Sequence, residues 1–246
     1  MAIISKSTLS EIYNKKYFEE GKDKIVIKET NLSNPNEDVK EIVLSGVDGE
    51  YLFINPEWLK DSAQPYNSLW KGMKLFRRDC DAIILLHHNN NHYMLWVELK
   101  SGYSAVVKEA MFQIIGSYMR SKSYLNVFPD FSNVKYKELA VVVGHGETSN
   151  DNDDNVNTEV WANKKNQMEV KSVKDDLIIK YRRKLKANNG ITSISGHDFG
   201  MEEMPLSASV KVDELPLIHI VVEGQYDTIN INEIISVPLK SGPVKY

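Results

Sequence analysis

The sequence predicts a single α/β domain: a mixed central β-sheet flanked by helices, continued by a β-rich C-terminal extension over 190–246. Three observations predict it. Two apolar, strand-like runs, "CDAIILL" (80–86) and "YMLWVELK" (93–100), flank a polar turn, "HHNNNH". A helix-periodic segment follows, and then a short, wholly apolar run of the kind that forms a strand covered on both faces, "KELAVVVGHG". The chain shows no internal repeat, heptad pattern or long linker, and its 246 residues suit one core. Residues 1–246 are therefore expected to form one unit, with its core at roughly 72–145.

In chain order, "STLSEIYNKKYFEEG" (7–21) reads as a first helix, with Thr8 and Glu11 as a capping box and Gly21 as its stop. "KIVIKET" (24–30) reads as a strand. "EIVLSG", "VDGE" and "YLFINP" (41–56) read as a hairpin turning at Asp48-Gly49. After the 80–100 hairpin, residues 104–125 read as a helix, because Val107, Ala110, Met111, Ile114 and Tyr118 recur at helical spacing. "LIIKY" (177–181) looks strand-like. "PLIHIVVEG" (216–224) and "INEIISVPL" (231–239) both look like strands.

Composition excludes several classes. A single cysteine, Cys80, rules out an internal disulfide framework and a cysteine-rich zinc site, and fits a reducing compartment. No apolar run suits a signal peptide or a membrane span, so a cytoplasmic location without membrane attachment is expected. P-loop, dinucleotide-binding and nucleophile-elbow motifs are all missing. The net charge of −4 does not advertise nucleic acid, but it averages over an uneven chain. Residues 164–186 carry nine Lys or Arg against three acids, while residues 147–158 carry only negative charge.

Chemistry concentrates in "LWVELKSG" (95–102). Alternation sends Leu95, Val97 and Leu99 to one face of the strand and Glu98 with Lys100 to the other. A solvated strand end is the plain explanation. However, the antiparallel hairpin also brings Asp81 beside Glu98 and Lys100. Gln113, at the edge of the apolar face of the following helix, can lean back toward these strand ends. Two carboxylates and a carbonyl suit a hard cation such as Mg²⁺ or Mn²⁺, with Asp81, Glu98 and the Leu99 backbone carbonyl as ligands. Such an ion polarises a phosphate and acidifies a bound water. Lys100 would orient or deprotonate that water, or offset charge developing on phosphorus.

Over roughly residues 72–145, "CDAIILL…LWVELKSG…KEAMFQI" resembles the PD-(D/E)XK nuclease superfamily, the restriction-endonuclease-like fold. Asp81 matches its aspartate, Glu98-Leu99-Lys100 its (D/E)XK, and Gln113, or less well Lys108, its helix residue. Cys80 stands where the superfamily often has proline, and Asp79 rivals Asp81. The resemblance implies a metal-dependent endo- or exodeoxyribonuclease acting on DNA, with RNA left open, in restriction, repair or antiphage defence. It also implies an acidic residue on the first helix, for which Glu11, Glu19 and Glu20 are available. A homodimer or partner protein is left open, and the rival reading is a nuclease-like binding module that no longer cuts.

For a phosphate track the densest basic stretch is the natural choice. An extended "LIIKY" continuation would place Lys180, Arg182 and Lys184 on one side, with Lys108 nearer the site. His87, His88 and His92 are expected in a water-exposed turn rather than at a metal. His145 is expected to be a loop histidine, and Trp58, Trp70 and Trp161 core or rim residues.

Overall fold

Strand-forming runs dominate the chain, and eight of them form one open, mixed sheet among the described residues. The computed structural model describes residues 3–29, 39–63, 79–100, 110–145, 177, 180–204 and 207–236. The strands are β1 (Phe18–Lys28), β2 (Glu41–Ile54), β3 (Ala82–His88), β4 (Asn91–Lys100), β5 (Lys137–Gly144), β6 (Ile191–Ser195), β7 (Glu214–Val221) and β8 (Tyr226–Asn230). Their order is β1-β2-β3-β4-β5-β7-β6, with β8 lying parallel beside the start of β2. The helices are α1 (Lys6–Ser10), α2 (Glu57–Ala63), α3 (Met111–Leu125), α4 (Pro129–Ser132), α5 (180–187) and α6 (Ile231–Ile235). None of the described helices is long and apolar enough to cross a membrane.

The 80–100 hairpin forms as read. Asn89 and Asn90 both take positive φ, 48° and 59°, the requirement of a tight two-residue turn that matches strand twist. Helix α3 then crosses over, and β5 returns parallel to β4. Alternation sorts the side chains of β4 into two cores. Met94 and Trp96 pack with Ile114, Ile115 and Tyr118 of α3 on one face. Leu95, Val97 and Leu99 pack on the other with Ile25, Ile27, Ile42 and Leu44 of the β1–β2 hairpin and with α6. Gly116 and Ser117 of α3 are buried, and small residues there let the helix approach the sheet closely.

Four expectations are corrected. The first helix spans only Lys6–Ser10, its start capped by Ser5, which accepts the Thr8 N–H, and not by Thr8 and Glu11; residues 18–28, Gly21 included, are strand. Helix propensity lost there to cross-strand pairing with β2. The expected hairpin at Asp48-Gly49 is instead a bend within one strand, β2, where the β1–β2 register slips opposite Asp23. "LIIKY" is not a strand: Leu177 and residues 180–187 are helical, with Tyr181 and Leu185 turned into the core. "INEII" is a helix capped by Asn230, whose side chain accepts the Asn232 N–H. The C-terminal strands extend the sheet as expected: β7 pairs with β5 and β6 with β7 at one edge, while β8 joins β2.

The bend in β2 matters because it turns the outer half of the hairpin onto the second face. Gly46 and Gly49 adopt φ of 71° and 123°, and a Cβ on Gly49 would overlap the His87 carbonyl oxygen. His88 pins the same region. Buried rather than water-exposed, its Nδ1 accepts the Asp48 N–H (2.9 Å). That bond leaves the proton on Nε2, which lies 3.0 Å from Asn232 Oδ1. Gly49→Ala is expected to destabilise the fold by about 1–3 kcal/mol, from backbone strain plus the overlap. A urea midpoint equal to wild type would show that the bend tolerates a side chain.

Candidate functional site

The site forms where β4 outruns β3. Strand β4 continues to Lys100, whereas β3 begins only at Ala82, opposite Val97. The last residues of β4 therefore present backbone groups with no β3 partner. Asp81 fills this gap. Its N–H donates to the Val97 carbonyl (2.9 Å), and its Oδ2 accepts the Leu99 N–H (2.7 Å). One step beyond the Ala82–Val97 pair, Asp81 thus faces Glu98 across the two strands.

Glu98 has no exposed surface. One carboxylate oxygen is ion-paired with Lys100 Nζ (2.5 Å), and the other has no hydrogen-bond partner. Burial, then the charge of Asp81, push Glu98 well above the usual carboxylate range. Burial pulls the Lys100 ammonium the other way, yet Glu98 beside it outweighs that effect and raises its pKa. Asp81 is pushed up to about 7, first by burial and then by a further carboxylate, Glu29. Structure alone gives no reason to bury so much charge, since such a site costs stability unless it is used.

Glu29 was not among the acids weighed from sequence. It follows β1 directly, and the bent hairpin carries it to Asp81, with which it shares a hydrogen bond. The acids expected from the first helix lie elsewhere. Glu11 is the exposed C-cap of α1, Glu19 is exposed on β1, and Glu20 accepts the Lys6 N–H. No local pattern in "KIVIKET" marks Glu29; only the fold-back of the hairpin does.

Helix α3 anchors the segment that leads into Asp81. Gln113 Nε2 donates to the Asp79 carbonyl (3.0 Å), Ser117 Oγ accepts the Cys80 N–H (2.9 Å), and Arg120 pairs with the Asp79 carboxylate. Gln113 thus leans toward the strand ends as expected, but its amide nitrogen grips backbone, and its Oε1 is buried without a partner. Asp79, the rival of Asp81, is committed to Arg120. Lys108, Ser101 and Gly102 lie outside the described residues, as do Trp70, Trp161 and the acidic loop.

The basic stretch is arranged differently from the extended strand expected. On helix α5, Lys180 and Lys184 share a face and flank the Tyr181 ring at 5.9 and 5.2 Å. Lys180 Nζ donates to both carboxylate oxygens of Asp198 (2.7 and 2.8 Å), so much of its charge is already met. Arg182 points to another side of the helix and is half-buried. The exposed cations of this helix also include Arg183 and Lys186.

His145, half-buried, lies with Nδ1 2.9 Å from the Val222 carbonyl and ties the end of β5 to β7. His219 of β7 pairs in register with Val142, which pairs with Glu98, so all three share a row across the sheet. Burial lowers the His219 pKa to about 4. Because that is below the unfolded value of about 6.5, the unfolded chain binds the proton first. Stability is therefore expected to fall as pH drops from about 6.5 to 4, by at most about 3 kcal/mol, with no further loss from this group below that window. Comparing urea midpoints of wild type and His219→Gln across that range isolates the effect; identical pH slopes would refute it.

As for a metal, no three His, Cys, Asp or Glu side chains among the described residues form a ready-made cage. Mg²⁺ needs no such cage, because it keeps several waters and takes one or two carboxylates. The donor set fits it: the carboxylates of Asp81 and Glu98 face each other at a strand end, and one buried oxygen of Glu98 has no partner. Compared with protein-family models, curated proteins and solved structures, the chain matches none of them.

Proposed function

We propose that this chain is a divalent-metal-dependent nuclease of the PD-(D/E)XK type that hydrolyses phosphodiester bonds of DNA. The observation that carries the proposal is Glu98: wholly buried, facing Asp81, with Lys100 paired to one oxygen and no partner on the other. The antiparallel hairpin, the crossover helix and the parallel strand that follows lend it support.

Asp81, Glu98 and the Leu99 carbonyl would hold Mg²⁺ or Mn²⁺. When bound, the ion supplies Lewis-acid polarisation of the phosphate and a water acidic enough to attack. The Leu99 N–H fixes the Asp81 carboxylate by holding one of its oxygens. Lys100, kept protonated by Glu98, orients the attacking water or offsets negative charge growing on the phosphate oxygens. Water oxygen bonds to phosphorus, the bridging P–O bond breaks, and the leaving oxygen takes up a proton. No residue of the chain becomes covalently attached.

The purified chain incubated with supercoiled plasmid, single-stranded DNA or RNA tests this. Cleavage is expected only with Mg²⁺ or Mn²⁺ present, to stop with chelator, and to be strongest on DNA. Intact substrates at every metal concentration, with no Mn²⁺ bound, would defeat the proposal and favour a binding module that does not cut. Restriction, repair and antiphage defence are the settings this activity would serve.

A further inference from the structure

We infer that Ser117 and Arg120 of α3 are positioning residues: they hold residues 79–80 so that Asp81 faces Glu98 in the geometry the reaction needs. The inference rests on the nuclease proposal and deepens it by naming what sets its two carboxylates against each other.

Asp81 stands one residue before β3 begins, and Asp79 and Cys80 ahead of it belong to no strand. Helix α3 supplies their bonds instead. The Ser117 hydroxyl accepts the Cys80 N–H (2.9 Å), Arg120 pairs with the Asp79 carboxylate, and Gln113 donates to the Asp79 carbonyl (3.0 Å). Gln113, Ser117 and Arg120 are spaced i, i+4 and i+7, so they share one face of the helix. The same helix is fixed to β4. Ser121 Oγ accepts the Trp96 Nε1–H (3.1 Å), and Tyr118 packs on the Trp96 ring with centroids 4.7 Å apart. Trp96 lies two residues before Glu98. Helix α3 therefore relates the strand that carries Glu98 and Lys100 to the segment that carries Asp81.

Stability does not require this arrangement. Ser117 and the side chains of Arg120 and Asp79 are buried, and apolar residues of like volume often serve a fold as well as a buried ion pair or better. Precision does require it. Groups that act on one phosphate must stay within about 0.5 Å of the productive geometry, and a displacement of about 1 Å can cost about 10²-fold in rate. Directional bonds to the two residues before Asp81 restrict such displacement more narrowly than apolar contact does.

Ser121→Ala provides the control for Ser117→Ala: it removes a buried hydroxyl from the same helix, but one that bonds β4 and not residues 79–80. Each full-length variant is compared with wild type in melting temperature, hydrogen exchange of the Asp81 amide, and single-turnover cleavage of plasmid DNA at saturating Mn²⁺. The two variants are expected to melt at similar temperatures. Ser117→Ala alone should speed exchange of the Asp81 amide and lower the maximal cleavage rate at least about tenfold, while the DNA concentration for half-maximal rate stays within about threefold of wild type. Arg120→Lys, which keeps the charge and loses the planar fork, should shift the same two readouts and carries the comparison if Ser117→Ala does not fold. Cleavage by Ser117→Ala equal to that by Ser121→Ala would overturn the inference and leave the nuclease proposal standing. If wild type itself neither binds Mn²⁺ nor cuts DNA, both fall.

Discussion

Asp81→Asn is expected to lower metal-dependent cleavage by at least about 10³-fold. Metal-derived stabilisation of the transition state is worth several kcal/mol, and each 1.4 kcal/mol is about tenfold in rate. Asparagine keeps an oxygen to accept the Leu99 N–H, so the strand end should stay in place. Glu98→Gln should lose activity equally, and it makes a sharper test because stability should move the other way. The wild-type carboxylate is fully buried, and its pair with Lys100 does not offset the burial that pushes it toward the neutral form. A neutral amide removes that burden, so the metal-free protein is expected to gain about 1–2 kcal/mol, or roughly 2–4 °C per kcal/mol in a chain of this size. An active Glu98→Gln variant would overturn the site. An inactive one with a lower melting temperature would mean that Glu98 serves the fold through its pair with Lys100.

Lys100→Ala is expected to cost about 10²–10³-fold in cleavage while Mn²⁺ affinity stays within a few-fold of wild type. The ammonium lies against Glu98 and is mostly buried, so it is positioned to act on a bound phosphate rather than to draw DNA from solution. Its removal takes away charge stabilisation that grows with the transition state and leaves the carboxylate ligands in place. Relieving Glu98 of its cationic neighbour could even tighten the ion slightly. Calorimetry that shows Mn²⁺ binding lost together with cleavage would move Lys100 from chemistry to site assembly. A cleavage defect cured by raising DNA concentration would make it a binding residue.

The hairpin, its turn and the meeting of Asp81 with Glu98 and Lys100 were legible in the amino acids. Each depends on local rules: alternation along β4, a short polar turn and antiparallel pairing that leaves little freedom of register once one face is apolar. Helix α3 was legible for the same reason, through the spacing of its apolar residues, and Gln113 followed from its place on that helix. What escaped were elements whose state depends on distant partners. "STLSEIYNKKYFEEG" has a helix-like pattern, but its second half becomes strand because β2 is there to pair with it. Asp48-Gly49 carries a turn signal, yet the chain bends and runs on, held by His88 and Asn232 from elsewhere in the sequence. The apolar residues of "LIIKY" suited either state, and packing of Tyr181 and Leu185 into the core chose helix. Glu29 is the plainest case. Its short sequence neighbourhood describes an ordinary strand, and its meeting with Asp81 exists only because buried apolar contacts fold the hairpin across the sheet. Spacing and alternation act over a few residues, so they can place Glu98 beside Lys100. The fold-back that joins Glu29 to Asp81 is a tertiary balance of burial and strain that no local pattern encodes.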